Sequence, residues 1–425
     1  MNAESRRVQR TYLTLLLFNT LAASLIWGIN TIFLLDAGLS NFEAFAANAF
    51  FTAGMLLFEV PTGVIADLRG RRLSYLLGTI TLTVSTLLYL VMWQTGAPFW
   101  GWAVASALLG LGFTFFSGAV EAWLVDALKG SGFKGKLESI FAKGEIVDGS
   151  AMLIGSVAGG LIAQISNLGV PYIIRAGLLL VTFFLAFVLM KDIGFTPKKG
   201  ERPLKEMRHI IKSAIKYGFK KPPIKWTLLT APFFMGALVY AFYALQPYLL
   251  ELYGDEKAYS IAGIAAALVA GAQIIGGLAV PHIGRLFRRR TTLIIVGLVI
   301  STATVALSGF TPTFWAVVFL MAVWASVLAA LMPVRQAYLN SLIPSDQRAT
   351  ILSFDSLMGS SGGLASQPLL GKAADLWGYA NSYLLTAGFQ AVAVPFALLA
   401  RRAAVKKADL IQDDPTTAEK PAAEA

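Results

Sequence analysis

The sequence predicts an all-α polytopic membrane protein whose twelve transmembrane helices form two six-helix bundles with internal three-helix repeats. Three observations lead there. Charged residues make up 14% of a chain that is 56% hydrophobic, against about 25% charged in an ordinary soluble domain, so the bilayer is the expected solvent. Apolar stretches recur at roughly 20 residues, the length that crosses about 30 Å of hydrocarbon. Lysine and arginine gather in alternate connections between those stretches, the signature of a fixed orientation in the membrane.

Twelve stretches meet the length criterion: residues 11–35, 42–67, 73–93, 99–125, 138–165, 170–190, 226–250, 259–283, 291–308, 313–342, 350–374 and 382–400. The first follows the basic start "MNAESRRVQR", has span length and lacks a small-residue cleavage site, so it is expected to stay as a helix. With a cytoplasmic N-terminus, the cytoplasmic segments carry Arg6, Arg7 and Arg10; Arg69, Arg71 and Arg72; Lys129, Lys134 and Lys136; the stretch Lys191 to Lys225; Arg285 and Arg288 to Arg290; Arg348; and the tail from Arg401. The opposite connections, around 36–41, 94–98, 166–169, 251–258, 309–312 and 375–381, carry Lys257 alone. Both termini are therefore expected in the cytoplasm, with the bacterial cytoplasmic membrane as the location. The net charge of +11 is spread over many short loops instead of lining one face, which excludes a nucleic-acid partner.

The longest polar stretch divides the spans six and six. The expected organisation is an N-terminal bundle over 1–190, a basic cytoplasmic linker over 191–225, a C-terminal bundle over 226–402 and a disordered cytoplasmic tail over 403–425. In the linker, Leu204, Met207, Ile211, Ala214/Ile215 and Gly218 recur at helical spacing between basic residues. That pattern fits an amphipathic helix on the membrane face, or a solvated helix joining two halves.

Several chemistries fall away. The chain has no cysteine, and its two histidines, His209 and His282, lie far apart, so no metal centre is expected. Gly130 to Lys136 fits the spacing G-x4-G-K, but Leu137 stands where a phosphate loop needs serine or threonine, and no strand precedes it. No nucleotide, no cofactor and no enzymatic activity are expected.

Internal repetition is more informative. Gly63-x3-Asp67-x2-Gly70 closes the second span, Gly371-x3-Asp375-x2-Gly378 closes the eleventh, and Gly277-x3-Pro281-x2-Gly284-Arg285 closes the eighth without the acid. In the fifth span the glycines sit higher, as Gly155-x3-Gly159-Gly160, and Ala122-Trp123-Leu124 of the fourth is echoed by Ala337-Tyr338-Leu339 of the tenth. Spans 2, 5, 8 and 11 hold one place in successive triplets, the repeat architecture found in secondary transporters.

The segment Gly63-Val-Ile-Ala-Asp67-Leu-Arg69-Gly70-Arg71-Arg72 resembles the loop 2–3 signature of the major facilitator superfamily, G-x-L-a-D-r-x-G-r-r. The resemblance covers about residues 11–400, including the degenerate copy "GLAVPHIGRLFRRR". It implies that Gly63, Asp67, Arg69, Gly70, Arg71 and Arg72 form a gating latch between the bundles. Asp67 would pair with Arg71 or with exposed amides at a neighbouring helix terminus. Gly155-Ser156-Val157-Ala158-Gly159-Gly160 resembles the fifth-helix antiporter motif G-P-x-x-G-G, which points to the drug:proton antiporter group. Two positions depart from that group. Ser156 replaces the proline, and the fourth span lacks the arginine that takes part in proton transfer there, which leaves proton coupling open.

Acids within spans are costly and mark function by default. Glu59, Glu121, Asp126, Glu145, Asp148 and Asp355 are the candidates for proton coupling; the alternative for each is simple pairing with a basic neighbour such as Lys136, Arg335 or Arg348. Arg175 has no acid beside it in sequence and is expected to snorkel to the outer interface, the alternative being that it supplies the cation missing from the fourth span. Trp27, Asn30, Phe113, Phe116, Tyr240, Tyr243, Gln246, Gln273 and Trp324 are candidates to line a midplane cavity suited to amphipathic or cationic organic molecules. The expected function is secondary active transport of a small-molecule substrate, as drug or metabolite efflux by proton antiport, in a protein that acts as a monomer within the lipid bilayer. Uptake by symport or facilitated diffusion, and a lipid-handling or receptor role, are the alternatives.

Overall fold

A computed structural model describes residues 2–195, 218–344 and 347–411. The expected amphipathic helix over 204–218 falls outside them apart from Gly218, as does the tail beyond residue 411. The first span is α1 (Ala3–Trp27) followed by α2 (Asn30–Asp36), bent by 47° at the intervening break. Next come α3 (Asn41–Arg69), α4 (Arg71–Thr95), α5 (Phe99–Thr114) with α6 (Ala119–Gly130) as a broken fourth span, α7 (Leu137–Ile165) and α8 (Gly169–Leu189). The second half holds α9 (Pro222–Tyr253), α10 (Tyr259–Leu286), α11 (Arg290–Phe310), α12 (Phe314–Leu342), α13 (Arg348–Ala391), α14 (Ala393–Arg402) and the short α15 (Lys406–Asp409).

Among the described residues, ten helices are long and apolar enough to cross a membrane, and the bent first pair makes eleven. The run Thr350–Arg402 contains a non-helical residue, Gly378 at φ 78°, ψ 168°, where the chain reverses. It therefore supplies both the eleventh and twelfth spans.

Local chemistry starts the helices where the sequence places them. Asn2 accepts a hydrogen bond from the Ser5 amide at 2.7 Å to cap α1. Ser40 and Glu43 cap α3 reciprocally, and Pro222 opens α9, where its missing N–H costs nothing. Between helices in lipid, close approach replaces the hydrophobic drive, so small residues form the seams. In the N-terminal bundle a side chain at Gly54 would collide with Ala107, and one at Gly110 with Phe51. In the C-terminal bundle, Gly362 lies against the Pro232 backbone.

The bundles meet mainly along two pairs, α3 with α13 and α7 with α10, with a smaller contact between α2 and α9. Their buried cores differ from end to end. At the end that carries Arg69 to Arg72, one core (Val8, Tyr12, Trp123, Met190) belongs wholly to the first bundle and another (Ile224, Leu228, Leu339, Phe354) wholly to the second. At the opposite end the cores run across the divide: Leu250, Ala258 and Ala262 join the first bundle's Ile29 and Phe33, and Phe45 joins the second bundle's Tyr240. The molecule is thus closed at the end opposite the arginines. Trp100, Trp315 and Trp377 are exposed at that same end, at 69%, 74% and 59%, in the manner of an interfacial aromatic belt.

Candidate functional site

The basic end contains a recess of about 370 Å³ lined by Asp67, Arg71, Glu121 and Asp126. Asp67 lies on the last turn of α3 and forms an ion pair with Arg71 at 2.6 Å. Gly70 sits between them at φ 103°, a conformation that a side chain would strain. Arg72 turns instead toward its own bundle. Its amide donates to Asp192 at 3.0 Å, its guanidinium donates to the Phe187 carbonyl at 2.6 Å, and that guanidinium stacks 5.0 Å above the Phe187 ring. Arg69 is exposed, and a side chain at Gly63 would meet open space. Asp192, which caps α4, escaped sequence reasoning because it stands in a basic stretch; an acid among bases was the available signal.

The remaining acids fall in separate places. Glu59 and Glu145 are exposed, whereas Asp148 is half-buried and accepts a hydrogen bond from the Thr20 hydroxyl, joining α7 to α1. Asp355 on α13 is bound bidentately by Arg335 of α12, at 2.7 Å and 2.6 Å. Arg335 also donates to the Thr227 carbonyl at 3.1 Å, and its side chain is only 6% exposed against 16% for Asp355. This planar, two-point pair is the strong form of an ion pair. It faces a cavity of about 340 Å³ whose other walls include Met235, Met332 and Ser356 of the same bundle and Thr52 of the other.

Arg175 does not snorkel. It is 2% exposed, with its Nε donating to the Thr86 hydroxyl at 3.0 Å and its Nη1 to the Ala22 carbonyl at 3.1 Å. The guanidinium therefore ties α8 to α4 and α1 inside the bundle, where neutral acceptors supply what the interface was expected to supply.

The aromatic and polar candidates divide between the seam and the bundle cores. Trp27 stacks on Phe242 across the seam with centroids 4.3 Å apart. Gln246 crosses it too, accepting from the Thr31 amide at 3.0 Å and donating to the Trp27 carbonyl at 2.9 Å. Asn30 is bonded within the first bundle to Asn48 and Tyr172. Tyr240 and Trp324 are buried in the core of the second bundle, and Phe116 packs edge-on against Tyr75 in the first. Phe113 meets Phe51 edge-on, Tyr243 meets Phe242, and Gln273 is exposed. The fifth-span glycines serve two seams: Gly155 and Gly159 seat α1 at Ser24 and Leu25, while Gly160 meets Gly263 of α10 in the other bundle.

Known proteins share this arrangement. The sequence pattern of the Major Facilitator Superfamily matches residues 12–292 and again 258–423. Multidrug resistance protein MdtG of Salmonella choleraesuis (strain SC-B67) is 27% identical over 355 residues, covering 81% of this chain and 82% of that protein. The MdtG of Salmonella typhimurium (strain LT2) is 27% identical over 353 residues, with the same coverage of 81% and 82%. Among solved structures, the nucleoside transporter NupG superposes with a TM-score of 0.73 at 12% identity, over 94% of this chain and 99% of that one. A bacterial homologue of the human lysosomal transporter Spinster, in an inward-facing and unoccupied conformation, gives 0.71 at 15% identity, over 95% and 98%. Those two likenesses concern the fold. Twelve spans in two bundles, the Asp67–Arg71 turn between the second and third, and a sequence pattern matched along almost the whole chain make this protein a transporter of the Major Facilitator Superfamily.

Proposed function

We propose that the chain exports small amphipathic or cationic organic molecules across a bacterial cytoplasmic membrane by proton antiport, with its basic end in the cytoplasm. The observation that carries this reading is the Asp355–Arg335 pair in the wall of a cavity bounded by both bundles. The clamp on Asp355 is made of two charge-assisted hydrogen bonds from Arg335. Protonation discharges Asp355, weakens the clamp and leaves the cavity one unit more positive. A cationic substrate and a proton then oppose each other in the same space, which is the electrostatic basis of antiport.

With that orientation, closure at the end opposite the arginines supports reading this as the cytoplasm-facing state, in which substrate enters. Asp67, Arg71 and the glycines around them act as the gating latch in the alternate state, and Glu121 and Asp126 share their recess. The name of the MdtG relatives, multidrug resistance protein, supports an organic substrate class and the direction of transport. The test is purified protein in liposomes that enclose a pH-sensitive dye, held under a proton gradient while cationic, neutral and anionic compounds are added. Proton movement driven by the cationic class, absent from empty liposomes, is expected. Direct transport of these compounds without any proton movement would overturn the antiport reading.

A further inference from the structure

We infer that Asp375 is the positioning residue of a second latch, at the outer end, which holds the bundles in the conformation seen here. The inference rests on the alternating-access reading above. Its ground is a repeat that holds in backbone as well as in sequence. Gly63-x3-Asp67-x2-Gly70 ends α3, and Gly371-x3-Asp375-x2-Gly378 ends the eleventh span. The closing glycines adopt related non-helical conformations, Gly70 at φ 103°, ψ 152° and Gly378 at φ 78°, ψ 168°. Each motif is therefore the same device: a helix, an acid on its last turn, a glycine reversal and the next helix.

The two motif-bearing helices pack against each other across the seam and run in opposite directions through the membrane. Each aspartate consequently lies at the end where its partner helix begins. At the outer end the contact is made. The Asp375 carboxylate accepts from the Asn41 amide at 2.8 Å through one oxygen and from the Phe42 amide at 2.9 Å through the other. Those two N–H groups belong to the first turn of α3, which has no intrahelical acceptor for them.

Local capping leaves this pair free. The Ser40 hydroxyl accepts from the Glu43 amide at 3.3 Å, and the Glu43 carboxylate accepts from the Ser40 amide at 2.9 Å. The amides of Asn41 and Phe42 are the remainder, and a carboxylate from the other bundle takes both, with the helix dipole favouring its charge. Around it, Gly371 rests on the Asn41 carbonyl and Phe45, and the Tyr379 hydroxyl donates to the Asn41 side chain.

At the inner end no equivalent contact is made among the described residues. Asp67 is paired with Arg71 of its own bundle, and Gly63, the counterpart of Gly371, faces open space. One latch is closed while the other is open. The two motif copies thus act as opposed catches, Asp375 favouring the cytoplasm-facing state and Asp67 the outward-facing one.

The chain has no cysteine, so spin labels can be introduced freely. Two pairs report the two ends in liposomes without substrate: Gln94→Cys with Thr313→Cys outside, and Lys134→Cys with Arg288→Cys inside. Asp375→Ala is expected to raise the ratio of outward-open to inward-open molecules about tenfold, lengthening the outer distance and shortening the inner. Asp67→Ala is expected to move the ratio the other way, and the double variant to return toward the starting value. Asp375→Asn keeps the shape and one acceptor oxygen, so it should give a smaller shift in the same direction and serves if the alanine variant fails to assemble. A merely structural role would lower the melting temperature without moving the ratio, and that result would overturn the second latch. If Asp67→Ala moves the distances and neither Asp375 variant does, the latch fails alone. A single unchanging distance in every variant would sink both the latch and alternating access.

Discussion

Each bundle buries an arginine, and the two are satisfied differently. Arg175 in the first is held by the Thr86 hydroxyl and the Ala22 carbonyl, whereas Arg335 in the second is held by the Asp355 carboxylate. Neutral acceptors at physiological pH neither gain nor lose protons, so the Arg175 arrangement is fixed. A carboxylate can take one, so under the antiport proposal the Arg335 arrangement is the one with two states. On that proposal, burial and hydrogen bonding alone do not make a switch, and a carboxylate partner beside a cavity does.

The largest effect that separates the two should come from Asp355→Ala. It strands Arg335 without its counter-charge, and breaking a buried pair in this way costs about 3–5 kcal/mol. Coupled transport should fall by about 100-fold or more, with a clear drop in melting temperature. Residual proton-coupled transport near the wild-type rate would erase the distinction between the arginines. Next comes Arg175→Met, which keeps the apolar stem but leaves buried acceptors without their donor. A stability loss of about 1–3 kcal/mol is expected, with the pH profile of transport unmoved. If that profile shifted instead, Arg175 would belong to the coupling machinery. The smallest is Thr86→Val, which removes one acceptor of Arg175 and should lower stability by about 1 kcal/mol, as read by thermal unfolding in detergent.

Much of the architecture was legible because the bilayer imposes strong rules on sequence. Span length, the alternation of basic loops and the repeated G-x3-D-x2-G turns each follow from a local requirement, and all three survive in the folded chain as helices, ends and reversals. Asp67 with Arg71 is also local, four residues apart across Gly70. What escaped was long-range. Nothing near Arg175 in sequence announces Thr86 or Ala22, and nothing near Gln246 announces the first span, which it meets from the other bundle.

The cavity candidates were hard to sort for a different physical reason. In lipid, both the outer surface and the packed interior of a helix are apolar, so periodicity loses its power to separate them. Tyr240 and Trp324 read as midplane aromatics and are packed within the second bundle, while Trp100 and Trp315, equally aromatic, are exposed at the end opposite the arginines. The pairing of Asp355 with Arg335 stood among the alternatives in sequence. Only the fold shows its two-point geometry and the cavity it faces.

The most direct test of the central claim is to count protons released when substrate binds. Purified protein in weakly buffered detergent solution, given a transported cationic compound, should release protons, and Asp355→Asn should bind the compound with no release. Equal release from the wild type and from Asp355→Asn would contradict the account and move the coupling site to another acid.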